Sequence, residues 1–215
     1  MVEEQARLYG SWRANTTADA LALFENYPGL WWVAGGHAIE AFTKSPRPHS
    51  DLDVSIPRAD VPVLRRHVAG QFDVWQADSG TLRPMVDDAD TVTPTCSNLW
   101  LREHGDAPWE FDVLLAITSA ATWTYERDRR VKLTLDDALW DLDGVRYLSP
   151  EVQLLHKAPG LRAKDQADFD ACLPRLAPAQ SGWLLSALGL AHPRHPWIVA
   201  LRAHRGQIPR RVPTP

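Results

Sequence analysis

Cysteine is scarce in this chain. Cys96 and Cys172 are the only two in 215 residues, and their spacing matches no metal-ligand pattern. A reduced, cytoplasmic setting follows as the expectation. No apolar run approaches the roughly 18 residues that a membrane span needs, so no span is expected. The opening MVEEQARLYG is acidic and polar and lacks the apolar core of a signal peptide. Internal repeats and low-complexity stretches are also missing. What remains is 45% hydrophobic and 23% charged, the composition of a globular chain long enough to build a core.

A basic excess is missing too. The net charge is −4, made of 23 Lys+Arg against 27 Asp+Glu. Residues 162–215 carry 8 basic against 3 acidic side chains, so residues 1–161 carry 15 against 24. The acidic main body argues against broad nucleic-acid binding. It would tolerate or attract a cationic small molecule, although an uneven solvated surface explains the same numbers.

The chain alternates α and β signals up to about residue 149 and is helical afterwards. Residues 2–26 read as helix with a break at Asn15-Thr16-Thr17, and Thr17 is a plausible cap for a helix over 18–27. Leu30–Ala34 is a short apolar run, as expected for a buried strand. Gly35-Gly36 turns the chain into a short helix over His37–Thr43, and Ser50–Ile56 is the next strand. Val61–Ala69 reads as helix, and 72–76 and 81–83 as short edge strands. Residues 84–96 form an acidic connector. Leu99–Arg102 and Trp109–Ala116 are strands, the second with clean alternation. Thr124–Arg130 is charged and expected to be exposed, and Val131–Leu148 suggests a ribbon around Asp143-Gly144. Ser149-Pro150-Glu151 starts a helix with a hydroxyl cap, a first-turn proline and an acid at the positive end of the dipole. Helices follow over about 150–158, 164–173, 178–189 and 196–205. The fold class is therefore α+β: a small mixed β-sheet domain with flanking helices over 1–149, then a helical domain over 150–215, with a cleft between them as the natural ligand site.

Chemistry concentrates in Asp51-Leu52-Asp53. Strand alternation puts Asp51, Asp53 and Ser55 on one face and Leu52, Val54 and Ile56 on the other, in a core. Asp112 sits mid-strand between apolar neighbours. If its strand lies beside that of Asp53, three carboxylates share one face, and a divalent cation such as Mg²⁺ would relieve their repulsion. Without that neighbourhood they are surface acids facing water. Gly35-Gly36 before a helix is the second signal. Glycines let a phosphate approach the backbone, and a helix N-terminus supplies N–H donors. Arg47 could neutralise phosphate or pair with a carboxylate, and His49 suits a hydrogen-bonding role better than metal ligation. Glu110 shares a strand face with Asp112 and is a candidate contact for a cationic substrate. Lys157 and Lys164 lie on the helical side, from which a lysine could reach a triphosphate. The acidic connector around Asp87, Asp88 and Asp90 reads as a solvated loop.

Taken together, WVAGGHAIEAF, RPHSDLDVSI, GVRYLSPEVQLLHKA and RAKDQADF resemble the DNA polymerase β-like nucleotidyltransferases. More narrowly they resemble the group of aminoglycoside 2''-adenylyltransferases and lincosamide nucleotidyltransferases, over roughly residues 28–170. The resemblance implies that Gly35 and Gly36 contact a triphosphate and that Asp51 and Asp53 bind Mg²⁺. It makes Asp112 the general base or a shared metal ligand. It further implies transfer of a nucleoside monophosphate, AMP from ATP, to a hydroxyl of a small molecule such as an aminoglycoside or lincosamide. His37 departs from the family's usual Trp or Ser after the second glycine. Two alternatives stay open: an antitoxin-like nucleotidyltransferase acting on a partner protein or RNA, and a nucleotide-binding module without catalysis. Neither a nucleic-acid partner nor a membrane partner is expected.

Overall fold

The structure is a computed structural model, and it describes residues 7–49 and 51–207. Residues 2–6 of the first expected helical stretch and Ser50 of the second strand lie outside those residues. Ten strands build one mixed sheet: β1 (Trp32–Val33), β2 (Asp53–Pro57), β3 (Asp73–Asp78), β4 (Thr81–Pro84), β5 (Asn98–Arg102), β6 (Phe111–Ser119), β7 (Thr122–Thr124), β8 (Lys132–Thr134), β9 (Leu139–Leu142) and β10 (Val145–Leu148). The main path runs β4-β3-β5-β6-β2-β1-β10-β9, and β7 and β8 extend from the far end of β6. The β2–β6 and β1–β10 pairs are parallel and their neighbours antiparallel, which bears out the mixed sheet expected from the sequence.

Alternation along β2 divides the molecule. Leu52, Val54 and Ile56 are fully buried on one face. There they join Val33, Leu99, Leu101, Phe111 and Val113 beneath helices α1 (Thr17–Leu23) and α3 (Val61–His67). Each such side chain contributes about 2 kcal/mol by leaving water. The opposite face packs on α2 (Gly35–Thr43), α5 (Pro150–Lys157), α6 (Ala163–Cys172), α7 (Pro178–Ala191) and α8 (Trp197–Gln207). One apolar cluster there joins Trp32, Trp123, Tyr125 and Leu148 of the sheet region to Leu154, Phe169, Leu184, Leu188 and Trp197 of the helices. It crosses the 149/150 position at which the sequence suggests a division.

Several local expectations change. The first helical stretch gives way near Gly10, where the chain runs extended and Trp12 pairs in parallel with Trp109. Trp12, Trp100 and Trp109 meet edge to face, with the Arg102 guanidinium over the Trp109 ring at 4.3 Å. Burying these indoles outweighs the helical propensity of a short segment. Thr16 rather than Thr17 caps α1: the Asp19 carboxylate accepts from its backbone N–H and its hydroxyl, each at 2.7 Å. Of the two strands expected at an edge, β4 is one and β3 is not, because β5 covers the other side of β3. The ribbon over 131–148 is interrupted by a short helix, α4 (Leu135–Ala138). In the stretch expected to be exposed, Glu126, Arg127, Arg129 and Arg130 are exposed. Tyr125, however, is fully buried in the helical-side core. The acidic connector is held from inside, since the Arg65 guanidinium donates to the carbonyls of Asp87 at 2.7 Å and Asp90 at 3.0 Å.

Candidate active site

Asp53 opens β2 and stands directly beside Asp112 of β6 in the parallel register. Both side chains therefore leave the sheet toward the helices, opposite the buried Leu52 and Val54. Asn98, on the other neighbour of β6, donates its amide to Asp112 Oδ1 at 2.7 Å. Burial, then the charge of Asp51, pushes the Asp53 pKa up, and burial, then the charge of Asp53, pushes the Asp112 pKa up. Two carboxylates this close resist sharing a full pair of negative charges. Asp51 lies just ahead of the strand and lines the same cleft. The strict Asp51–Asp53–Ser55 alternation expected from the sequence thus begins only at Asp53. Among the described residues, no three His, Cys, Asp or Glu side chains come together closely enough to enclose a metal ion.

The Gly-Gly turn is shaped by Asp53. Gly35 has φ +65°, and a Cβ there would overlap the Asp53 carboxylate. Both facts demand glycine. A Cβ on Gly36 would run into the Arg47 guanidinium and lie 2.6 Å from the His49 ring. The backbone N–H of Gly35 donates to Gln153 Oε1 at 2.7 Å, so this donor, expected to face a phosphate, is already bonded to helix α5. His49 Nε2 lies 2.7 Å from Glu40 Oε2, and its ring stacks on His37 at 3.9 Å. Burial, followed by the charge of His49, pushes the His37 pKa down to about 4. The His49 ring is thus held between Glu40 and His37.

The far wall of the cleft is basic. Lys157 Nζ lies 2.8 Å from Asp168 and 3.6 Å from Asp165. Arg162 Nε pairs with Asp165 at 2.7 Å, and Arg47 Nε with Asp168 at 3.4 Å. Asp165 is fully buried and Asp168 is 4% exposed. Burial raises the Asp165 pKa, but the Arg162 hydrogen bonds and the Lys157 charge outweigh it and hold the carboxyl below its ordinary value. The two acids thus fix Arg47, Lys157 and Arg162 from behind, with Lys164 further along the same wall. The cleft between wall and sheet measures about 820 Å³.

The structure gathers Gly35, Gly36, Arg47, Asp51, Asp53, Lys157 and Lys164 around this cleft. Asp112 is not among the lining residues; it stands beside Asp53 and accepts from the Asn98 amide, and Asn98 does line the cleft. Glu110 is not brought in. Its carboxylate is buried and accepts from Arg13 Nη1 at 3.1 Å, away from the cleft-lining residues. It precedes β6, where the strand alternation that would have placed it beside Asp112 has not begun. Sequence reasoning missed Asn98, Gln153, Asp165 and Asp168. The i, i+3 spacing within RAKDQADF signals that Asp165 and Asp168 share a helix face. Nothing local marks Asn98 or Gln153.

No protein-family model matches the chain, and no curated protein sequence matches it. Solved structures do. The solution structure of the antibiotic-resistance factor ANT(2'')-Ia is 16% identical, covers 97% of this chain and 100% of its own, and superposes with a TM-score of 0.53. A crystal structure of ANT(2'')-Ia in complex with adenylyl-2''-tobramycin is 15% identical, covers 80% and 94%, and reaches 0.51. The lincosamide antibiotic adenylyltransferase LnuA, lincomycin-bound, is 18% identical, covers 72% and 92%, and reaches 0.48. At these identities the likeness to ANT(2'')-Ia establishes a shared fold, the one the sequence motifs suggested.

Proposed function

We propose that the protein is a nucleotidyltransferase that moves AMP from ATP to a hydroxyl of a small molecule of the antibiotic type, an aminoglycoside or a lincosamide. The observation that carries this reading is the Asp53–Asp112 pair, in register on adjacent parallel strands, against the Gly35 turn and opposite a wall of fixed cations. Its fold is that of ANT(2'')-Ia, a structure of which holds adenylyl-2''-tobramycin.

The donor chemistry fits Mg²⁺. All the nearby anionic donors are carboxylate oxygens, and burial raises the pKa of Asp53 and of Asp112, so a divalent cation there would stabilise their charged forms. Asp51, Asp53 and Asp112 are the residues that would hold the ion, the rest of its shell coming from phosphate oxygens and water. When bound, it offsets negative charge on the phosphates. The chain's own groups do the rest. The lack of a Cβ at Gly35 and Gly36 lets the Asp53 carboxylate and the Arg47 guanidinium come close to the backbone at the place where the triphosphate would bind. Arg47, Lys157 and Lys164 balance the triphosphate and the pyrophosphate that leaves. Asp112 accepts the proton of the acceptor hydroxyl, with Asn98 fixing its carboxylate. Catalysis then rests on positioning and charge balance for in-line attack on the α-phosphorus.

The test is pyrophosphate release from ATP and Mg²⁺ against a panel of aminoglycosides and lincosamides, beside an Asp53→Asn variant of unchanged melting behaviour. Acceptor-dependent release in the wild type, lost by at least about a hundredfold in the variant, is expected. Full activity in Asp53→Asn would sink the mechanism.

A further inference from the structure

The acceptor can be narrowed from the walls of the cleft. We infer that it is a hydroxylated molecule with an apolar body and no more than one ammonium group, rather than a polycation. The inference rests on the nucleotidyl-transfer reading and deepens it.

Charge is the first ground. Arg47, Arg127, Lys157, Arg162 and Lys164 line the cleft, against the carboxylates of Asp51, Asp53 and Glu126. Asp51 and Asp53 belong to the catalytic end. Asp165 and Asp168 stand behind the wall and are already engaged by Arg47, Lys157 and Arg162. Glu126, exposed at the rim, is therefore the one lining carboxylate left for an acceptor's ammonium. The acidic surplus of the first 161 residues is spent elsewhere: Asp87, Asp88, Asp136 and Asp143 are exposed, and none lines the cleft. With Arg47, Lys157 and Lys164 taken up by the triphosphate, Arg127 and the Asp165-paired Arg162 remain beside Glu126, so a second or third ammonium group would find no partner there, which selects against a polycation.

Shape and polarity are the second ground. β6 continues from Asp112 through Leu114, Ala116 and Ile117, all lining the cleft, and Trp123 of β7 stands beside them. Leu114 and Ala116 share the strand face of Asp112. A molecule that offers a hydroxyl to Asp112 therefore lies along an apolar strip, and an apolar body there leaves water favourably. The hydroxyl faces Asp112, the apolar part covers the strip, and Glu126 takes a single ammonium.

The test is a binding titration on the full chain with Mg²⁺ and a non-hydrolysable ATP analogue, using three probes. Lincomycin has one amine and an apolar body, octyl glucoside below its micellar concentration is neutral and apolar-bodied, and tobramycin is a polycation. Lincomycin and octyl glucoside are expected to bind at least about tenfold more tightly than tobramycin. Ile117→Asp should weaken both apolar-bodied probes by about tenfold and narrow the gap to tobramycin. Glu126→Gln, at an exposed site where folding is not at stake, should weaken lincomycin and leave octyl glucoside unchanged. Tobramycin binding as tightly as lincomycin, or no binding by either apolar-bodied probe, overturns the inference. Tobramycin-dependent pyrophosphate release would overturn it while leaving nucleotidyl transfer intact. Failure of the ATP analogue itself to bind counts against the transfer reading instead.

Discussion

Replacing Glu151 by Gln should stabilise the protein, and only at high pH. Glu151 is the second residue of α5, the helix that carries Gln153 and Lys157 to the cleft. It is 5% exposed, and its Oε2 accepts from Gln180 Nε2 at 2.8 Å. Burial is the main reason its pKa is pushed up to about 7 from 4.5; the Asp137 charge adds to it, while its own backbone N–H and Gln180 oppose it. A carboxyl with a raised native pKa holds its proton more tightly folded than unfolded. The penalty is absent below the unfolded value of 4.5, grows as pH rises, and is fully present above about 7. A rise of roughly 2.5 units corresponds to about 3 kcal/mol at 1.36 kcal/mol per unit. Relaxation around the charge brings the expected effect nearer about 2 kcal/mol. Glutamine keeps the shape and the acceptor oxygen for Gln180 and removes the charge. In a chain of this size about 2 kcal/mol is roughly 4–8 °C in Tm. Scanning calorimetry at pH 8.5 should show that gain, and at pH 4.5 almost none. An equal gain at both pH values, or none at pH 8.5, would refute the reasoning, because either outcome means the buried charge is not what destabilises the native state.

Other consequences follow from the cleft. Gly35→Ala should cost about 1–2 kcal/mol of backbone strain and displace the Asp53 carboxylate; steady-state kinetics should show the loss in kcat, and wild-type turnover would contradict the Gly35–Asp53 packing. Asn98→Ala removes the amide that fixes Asp112 and should lower kcat by about tenfold with little change in the KM for ATP; an effect confined to KM would point to substrate contact instead. Asp168→Asn leaves Lys157 and Arg47 with weakened support at a buried site, so denaturant unfolding should show a loss of about 3 kcal/mol together with weaker ATP binding; unchanged binding would mean the wall is not held from behind.

Much of this site is legible residue by residue. Leu52, Val54 and Ile56 announce a strand with one buried face, and that alternation alone sends Asp53 to the opposite side. Gly35-Gly36 before a helix announces a turn that no side chain could fill. Pro150 marks the start of α5 correctly, whereas the expected hydroxyl cap does not form, because the Ser149 hydroxyl donates to the Asp137 carbonyl instead. Glu110 shows the limit. Its parity with Asp112 holds only if the strand already runs at 110, and the structure begins β6 at Phe111. Arg13 then claims its carboxylate from 97 positions away. The net charge misleads in the same way, since a sum over the chain does not say which acids face the cleft.

Local covalent geometry therefore let the sequence determine most of the strands, the glycine turn, the start of α5 and the face on which Asp53 lies. Only the tertiary structure decided their partners. The β2–β6 register sets Asp53 beside Asp112 across 59 positions of sequence, Gln153 caps Gly35 across 118, and Asp168 holds Arg47 across 121. Such contacts depend on which surfaces bury most apolar area and on which buried polar groups find a partner. Both are properties of the packed molecule as a whole, and no short stretch of the chain contains them.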